Sequence, residues 1–446
     1  MVARPRLRSP HDRQILRLAL PALLTLAAEP TYLLVDTAMV GHLGERPLAA
    51  LGLAASVLAT LTGLGTVATY ATTAAVARLS GAGHEDDLRR IAAQALWLGA
   101  GLGVLGALVA VLAGPAWVAA LGGTGETADD AVAYLRIAAP GLGFALLGMA
   151  AQGWLRGTGD LRTPLLVVLL GNAINVVLNP VLVYGADLGL AGSALATLTG
   201  QATMGLLFAR LLWRGGAGPD GMAPASRRPS LALLRRLGTT GLFLLLRTGA
   251  LLATFAVASA VAARSGDPSL AAHQVGWQLF LFLALVLDAV AIAGQVLIGR
   301  ALGGARVAEA RDASRRMVEL TVAGGTLVAL VLLAVREPLL HAFTTEADVL
   351  DRARAMWPLL CLMLPFAAAV FAFDGILIGA GDARFLGLAM VAAALVGIPS
   401  MLALHAAGAG IRGVWAGIVV VMAARLAGTW WRYRGGRWAR PGAWRG

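Results

Sequence analysis

The chain has 446 residues, 58% of them apolar and only 13% charged, and its mean hydropathy is +0.76. Soluble globular chains carry about 25% charged residues, so a soluble domain and a disordered chain are excluded as first readings. The net charge of +12 does not point to nucleic acid, because that charge sits in gaps between apolar runs.

All 36 basic residues are Arg. The single cysteine, Cys361, excludes an internal disulfide and a Cys-based metal site. The stretch up to Ile15 is Arg-rich, and no signal-type cleavage site follows the first apolar run, so that run is expected to stay as a membrane helix. Runs of about 20 residues, enough to cross the hydrocarbon core, start near 16, 47, 91, 131, 163, 188, 237, 270, 317, 353, 385 and 410. The expected layout is an N-tail (1–14), helices 1–6 (15–213), a linker (214–236), helices 7–12 (237–432) and a basic C-tail (433–446). The fold class is an all-α polytopic membrane protein, with twelve transmembrane helices in two pseudo-symmetric six-helix bundles.

Arginine placement tests the count. The tails and even-numbered loops hold 28 of the 36 arginines and the odd-numbered loops hold 7; Arg247 lies inside span 7. Cytoplasmic loops are enriched in Arg and Lys, so both termini are expected in the cytoplasm, at the cell membrane.

The chain repeats itself. Leu48-Ala49-Ala50 recurs as Leu270-Ala271-Ala272, and Arg78, Gly81 and Arg89 recur as Arg300, Gly303 and Arg311, all at one common offset. Arg156-Gly157-Thr158-Gly159-Asp160 recurs at that same offset as Ile378-Gly379-Ala380-Gly381-Asp382, and Gly189 and Gly192 recur one position short of it as Gly410 and Gly413. Two six-helix halves in the same orientation follow, and such halves enclose a central site.

Ionisable residues inside the membrane are functional candidates by default. Here they are Glu29, Asp36, Arg247, Asp288 and Asp374, with Glu319 near a boundary. Ion pairs that only hold the bundle together are the architectural alternative. Asn172, Asn175 and Asn179, the chain's three asparagines, form one polar stripe on span 5, because steps of three and seven fall within about 60° on a helix. That stripe faces protein or a water-filled cavity rather than lipid. Tyr32 and Asp36 lie one turn apart on span 1, Glu29 lies seven before Asp36, and span 6 offers Thr197. A carboxylate, a phenol, amides and a hydroxyl together hold a proton or a small cation. The repeat position of Asp36 is Ala258, an asymmetry that favours a role specific to the first half. Pro21 and Pro30 interrupt span 1 and mark it as a kinked, bendable helix. Arg247 needs a carboxylate: either Glu29, as a latch between the halves, or Asp288 or Asp374 within its own half.

The stretch Pro-Thr-Tyr-Leu-Leu-Val-Asp-Thr-Ala-Met-Val-Gly-His-Leu-Gly at 30–44 resembles the first-helix signature of MATE (multidrug and toxic compound extrusion) transporters, closest to the DinF branch. Gln152-Gly153-Trp154, Asn172 to Pro180, Gly192 to Thr197, Ala272-His273-Gln274 and Asp374 to Gly379 are similar to further family motifs. The resemblance covers the chain between its tails. It implies two six-helix lobes around a central cavity and cation-coupled export of organic compounds. It also implies a proton- or sodium-exchanging carboxylate at Asp36, with Tyr32, Pro21, Asn175, Asn179 and Thr197 at matching positions. Many relatives have Asp where this chain has Asn179, and the missing charge favours H+ over Na+, although Na+ binding at Asp36 stays open. Gln152 and Asp374, at equivalent places in the two halves, are expected to face the cavity, with Asn172 and Asp288 as further substrate candidates. Small organic molecules and the bilayer are the expected partners. No nucleic acid, obligate protein partner, cofactor or resident metal is expected.

Three rival readings are weaker. A lipid-linked precursor flippase of the same superfamily would want several basic residues in its cavity, and Arg247 is the one read inside a span. Gly-x-Gly-Asp at 157–160 and 379–382 matches intramembrane aspartyl proteases in letters, but both copies fall at loops and are read as turns. Gly101 to Gly106 matches a dinucleotide fingerprint in letters inside a membrane span, so it is read as helix packing.

Overall fold

The computed structural model describes residues 9–215 and 228–443. The start of the expected N-tail, most of the linker core and the last residues of the C-tail lie outside the described residues. Among these there is no strand. The helices are α1 (Pro10–Gly41), α2 (Glu45–Ala82), α3 (Glu85–Leu112), α4 (Gly114–Ala120), α5 (Gly125–Gly157), α6 (Arg162–Pro180), α7 (Gly189–Gly215), α8 (Leu231–Arg264), α9 (Asp267–Gly303), α10 (Val307–Ala334), α11 (Arg336–Phe343), α12 (Ala347–Gly379), α13 (Ala383–Ala406) and α14 (Gly410–Arg434). Twelve of them are long and apolar enough to span a membrane. The other two, α4 and α11, are short helices that the sequence reading did not anticipate. They start at Gly114 and Arg336, which are equivalent positions in the two halves.

Several helices begin earlier than the apolar runs suggest. Helix α3 starts at Glu85 with Glu85, Asp86 and Asp87 in its first turn, where carboxylates meet the positive end of the helix dipole. Helix α1 starts inside the expected N-tail, at Pro10, a residue suited to the first helical position; the Asp12 carboxylate accepts the Ser9 backbone N–H at 3.0 Å. Helix α8 begins at Leu231, inside the stretch read as linker. A hydropathy count ends where charge appears, whereas a helix continues beyond the hydrocarbon as long as its polar end residues are satisfied. The C-tail is also more than a solvated basic segment. Trp438 is buried, donates to the Tyr433 carbonyl at 3.0 Å and stacks on its ring, and the Gly442 N–H donates to Leu302.

Helix α1 runs unbroken through Pro21 and Pro30. Two hydroxyls bond nearby carbonyls: Thr25 donates to the Pro21 carbonyl at 2.8 Å and Thr31 to Ala27 at 2.7 Å. Both are second bonds to carbonyls that also accept the helical N–H four residues on, whereas the carbonyls that the prolines leave without a helical donor are those of Arg17 and Leu26.

The chain forms two compact units, Pro21–Gly241 and Leu242–Gly442, the second joined by the chain up to Leu20. Helix α1 therefore changes unit at Pro21. Its foot is held in the second unit by Arg316, which donates to both Asp12 oxygens at 2.7 and 2.9 Å.

Each unit is built on one very close helix crossing. In the first, a Cβ added at Gly153 of α5 would stand 2.5 Å from the Thr69 carbonyl of α2; in the second, one at Gly375 of α12 would stand 2.4 Å from the Ala291 carbonyl of α9. One turn on, Gly157 meets the Thr73 carbonyl at 2.9 Å and Gly379 meets Gln295 at 2.6 Å. Every partner in the second unit lies at the common repeat offset from its counterpart in the first, so the duplication extends to individual contacts. Small residues that admit close backbone approach are the usual glue between membrane helices.

Gly153→Ala and Gly375→Ala should each lower stability by about 1–3 kcal/mol, the usual cost of overpacking. Gly52→Ala, where nothing lies within 4 Å, should be neutral. Thermal unfolding in detergent, followed by tryptophan fluorescence, checks this; equal behaviour of all three would refute the packing argument.

Candidate functional site

Helix α1 carries Glu29, Tyr32 and Asp36 at steps of three and four, so the three share a face. Helices α6 and α7 lie close to each other because glycines sit at their contact. A Cβ at Gly200 would stand 2.8 Å from the Gly171 carbonyl, and one at Gly192 would stand 2.7 Å from the Leu182 carbonyl. Asn172, Ser193 and Gln201 each follow one of these glycines. After Pro180, α6 closes with one wide π-type turn over Val181–Gly185, in which the Ala186 N–H donates to Val181 at 2.8 Å.

The structure brings most of the expected residues together in the first unit. Asp36 is only 2% exposed. One of its oxygens accepts from the Asn179 amide and from the Ser193 hydroxyl, the latter at 2.7 Å. Asn175 donates to the Thr197 hydroxyl at 3.2 Å, and the Tyr134 hydroxyl lies 3.5 Å from the same oxygen. Asn172 stands apart, donating to the Ala28 carbonyl of α1 at 3.1 Å. The amide oxygens of Asn175 and Asn179 are buried without a hydrogen-bond partner. They are spare acceptors in the cluster around a buried carboxylate.

Asp36 borders a cavity of about 220 Å³ lined wholly by the first unit. Glu29, Tyr32, Tyr134, Gln152, Asn172, Thr197 and Gln201 also reach it, among apolar walls that include Phe144, Met149 and Phe208. Asn175 and Asn179 stand behind Asp36 rather than on the wall. The ionisable lining includes Glu29, Asp36 and Arg156, and Arg156 donates to the side-chain amide oxygen of Gln152 at 3.0 Å.

Sequence reasoning missed Ser193, Tyr134, Gln201 and Arg156. Ser193 was detectable, one turn before Thr197 on the same helix. Tyr134 and Arg156 carried no periodic signal.

The second unit is filled differently at the matching place. Asp374 is 1% exposed, and one of its oxygens accepts from Arg247 at 2.8 Å and from Arg425. Arg247 and Arg425 are 7% and 2% exposed. Arg247 thus finds a carboxylate in its own unit, the alternative weighed against the Glu29 latch. Arg425 corrects the sequence reading, which found Arg247 alone inside the spans. It lies well inside α14, because that helix runs on to Arg434 past the end of the apolar run. The corresponding first-half positions, by the repeat, are Thr25, Gln152 and Met204, and all three line the cavity. What is an open cavity in one unit is an Arg–Asp–Arg cluster in the other. Asp288 is half-buried on α9 and does not line the first-unit cavity.

The match to known proteins fits this architecture. The model of the MatE family matches residues 21–181 and 249–402, well over half the chain. This chain belongs to the MATE family. Protein DETOXIFICATION 44, chloroplastic, of Arabidopsis thaliana is 33% identical over 95% of this chain and 83% of its own length. The DNA damage-inducible protein F of Escherichia coli K12 is 30% identical over 96% and 94%. Among solved structures, a MATE in the bent conformation superposes with a TM-score of 0.88 at 24% identity, covering 96% of both chains. MATE proteins are multidrug and toxic-compound efflux transporters, secondary transporters rather than enzymes.

The protease letters resolve accordingly. Asp160 accepts the backbone N–H of Arg162 and Thr163 at 3.1 and 3.0 Å, capping the start of α6, and Asp382 is bound through both oxygens by Arg432. Two of the three dinucleotide-like glycines pack helices, a Cβ at Gly103 standing 2.5 Å from the Gly143 carbonyl and one at Gly106 2.8 Å from the Leu146 side chain, while nothing lies within 4 Å of one at Gly101. Among the described residues no three His, Cys, Asp or Glu side chains group as a metal site.

Asp374→Asn should cost about 3–5 kcal/mol, because it leaves two buried guanidiniums without their carboxylate. Replacing all three members by apolar residues of similar size should restore much of that stability. Thermal unfolding of purified protein checks both. A wild-type melting point for Asp374→Asn would show that the cluster does not hold the bundle.

Proposed function

We propose that this transporter exports organic cations or cationic amphiphiles by alternating access, driven by inward H+ flux through Asp36. The observation that carries the reading is Asp36 itself, a carboxylate held by Asn179 and Ser193 at the wall of a mostly apolar cavity. The lining offers two carboxylates, Glu29 and Asp36, against one arginine, Arg156. A lipophilic cation entering such a cavity gains both apolar contact and charge complementarity. A flippase for an anionic headgroup would meet the opposite balance there.

Coupling follows from competition. Proton and substrate both neutralise the same negative charge, so binding of one weakens binding of the other. A protonated Asp36 turns from acceptor to donor, and the spare oxygens of Asn175 and Asn179 provide acceptors in the same cluster. Sodium would be held by a single carboxylate with amides and hydroxyls around it, a weaker attraction than two charges give, so H+ is favoured. Pro21 and Pro30, with Glu29 between them, make α1 the element whose bending changes access. The distribution of Arg supports a location in the cell membrane with both termini in the cytoplasm. No cofactor, resident metal, nucleic acid or obligate protein partner enters this scheme.

The test is efflux from proteoliposomes under an imposed pH gradient or an imposed sodium gradient, one at a time. The pH gradient should drive export of a lipophilic cation, and Asp36→Asn should abolish it while the protein stays folded and inserted. Wild-type-like efflux by Asp36→Asn would remove the coupling role. Sodium-driven exchange at fixed pH, insensitive to proton ionophore, would reverse the choice of ion.

A further inference from the structure

A second cavity lies on the outside of the first unit, away from Asp36. It is a groove of about 1020 Å³ between α3 and α7, at the upper end of the range of about 300–1,000 Å³ found for ligand pockets. Its walls come from one face of α3 and from much of α7, where Leu207, Ala209 and Leu212 also line it, with Leu147 of α5. Ala93, Leu96, Trp97 and Ala100 line it from α3, and Leu206, Arg210 and Trp213 from α7, at the steps of three, four and seven that mark a helix face. Leu206, Trp97 and Trp213 are all about half exposed, so the groove opens to the bilayer. Arg210 and Arg228, both exposed, also line it, and among the described residues no acidic side chain does.

Arg228 is held there. The side chain of Gln94, 1% exposed on α3, donates to the Arg228 carbonyl at 3.0 Å and accepts the Ser230 N–H at 2.8 Å. A buried amide thus fixes the chain beside the groove, and with it the backbone that carries Arg228. Along α7 the apolar Leu206 comes first, then Arg210, then Trp213 toward the helix end at Gly215, so an acyl chain fits the apolar wall and a phosphate meets Arg210 and Arg228 beside Trp213. Basic pockets between membrane helices on the cytoplasmic side take anionic headgroups, and tryptophan favours the membrane interface.

We propose that this groove binds one anionic phospholipid, with its acyl chain between α3 and α7 and its phosphate between Arg210 and Arg228. The site rests on the export reading only for the leaflet, which the Arg-rich side makes the cytoplasmic one. Its occupation would seat the first unit at a defined depth in the bilayer.

The experiment uses the full chain in nanodiscs of phosphatidylcholine. Brominated phosphatidylglycerol or, as a control, brominated phosphatidylcholine is added at equal low fractions, and tryptophan quenching is read. Wild type should be quenched more by the anionic lipid. The excess should vanish in the double variant Trp97→Phe/Trp213→Phe, which removes the reporters. In Arg210→Gln/Arg228→Gln the apparent affinity for the anionic lipid should fall about thirtyfold, at roughly fivefold for each arginine near an anionic surface. All four side chains are exposed, so the variants should fold, and gel filtration checks this. Rising salt should also erode the excess in wild type, an independent reading that needs no variant. Equal quenching by the two lipids in wild type, or an excess undiminished in the arginine variant, would overturn the proposal. No transport is measured, so either result leaves the export reading standing.

Discussion

Hydrocarbon gives no hydrogen bonds, so every polar group placed in it must find a partner inside the protein. That constraint shapes each level of this molecule. It makes all twelve spans helices. It puts Thr25 and Thr31 onto carbonyls near the two prolines of α1. It binds Asp36 to Asn179 and Ser193, and Asp374 to two arginines.

The two halves answer the same constraint in different ways. Both are built on a glycine-mediated crossing whose contacts recur at the repeat offset. Inside that common frame, Thr25, Gln152 and Met204 leave a cavity, while Arg247, Asp374 and Arg425 close ranks as ions. An ion cluster is rigid and expensive to open, whereas the cavity spreads Glu29, Asp36 and Arg156 along its wall. Duplication therefore supplied two copies of one scaffold, and side-chain chemistry divided the labour between them. The first half holds a cavity with a partly polar lining, and the second holds a charged brace.

The same separation explains why the site's polar residues are spread over four helices. No single helix carries enough polar groups to disturb its insertion. Asp36 comes from α1, Asn175 and Asn179 from α6, Ser193 and Thr197 from α7, and Tyr134 from α5. Gly171, Gly192 and Gly200 let α6 and α7 come close enough for these groups to meet.

Composition, the twelve apolar runs, the repeat and the family motifs are local or periodic properties, so the sequence alone was enough to read the fold class, the duplication and the family. The asparagine stripe and Asp36 were legible for the same reason, because polar residues stand out against apolar helices. Other features depended on contacts between helices. Ser193, Tyr134 and Arg156 belong to the cavity region only because distant helices pack there, and Arg425 stands as a buried ion only because α14 packs it against Asp374. Helix starts at Pro10 and Leu231, and the short helices α4 and α11, are set by end satisfaction and packing rather than by hydropathy. Arg247 could have paired with any of several carboxylates by sequence; its bond to Asp374 was decided by the side-chain packing of the second unit, because a salt bridge depends on a few ångströms that spacing along a chain does not encode.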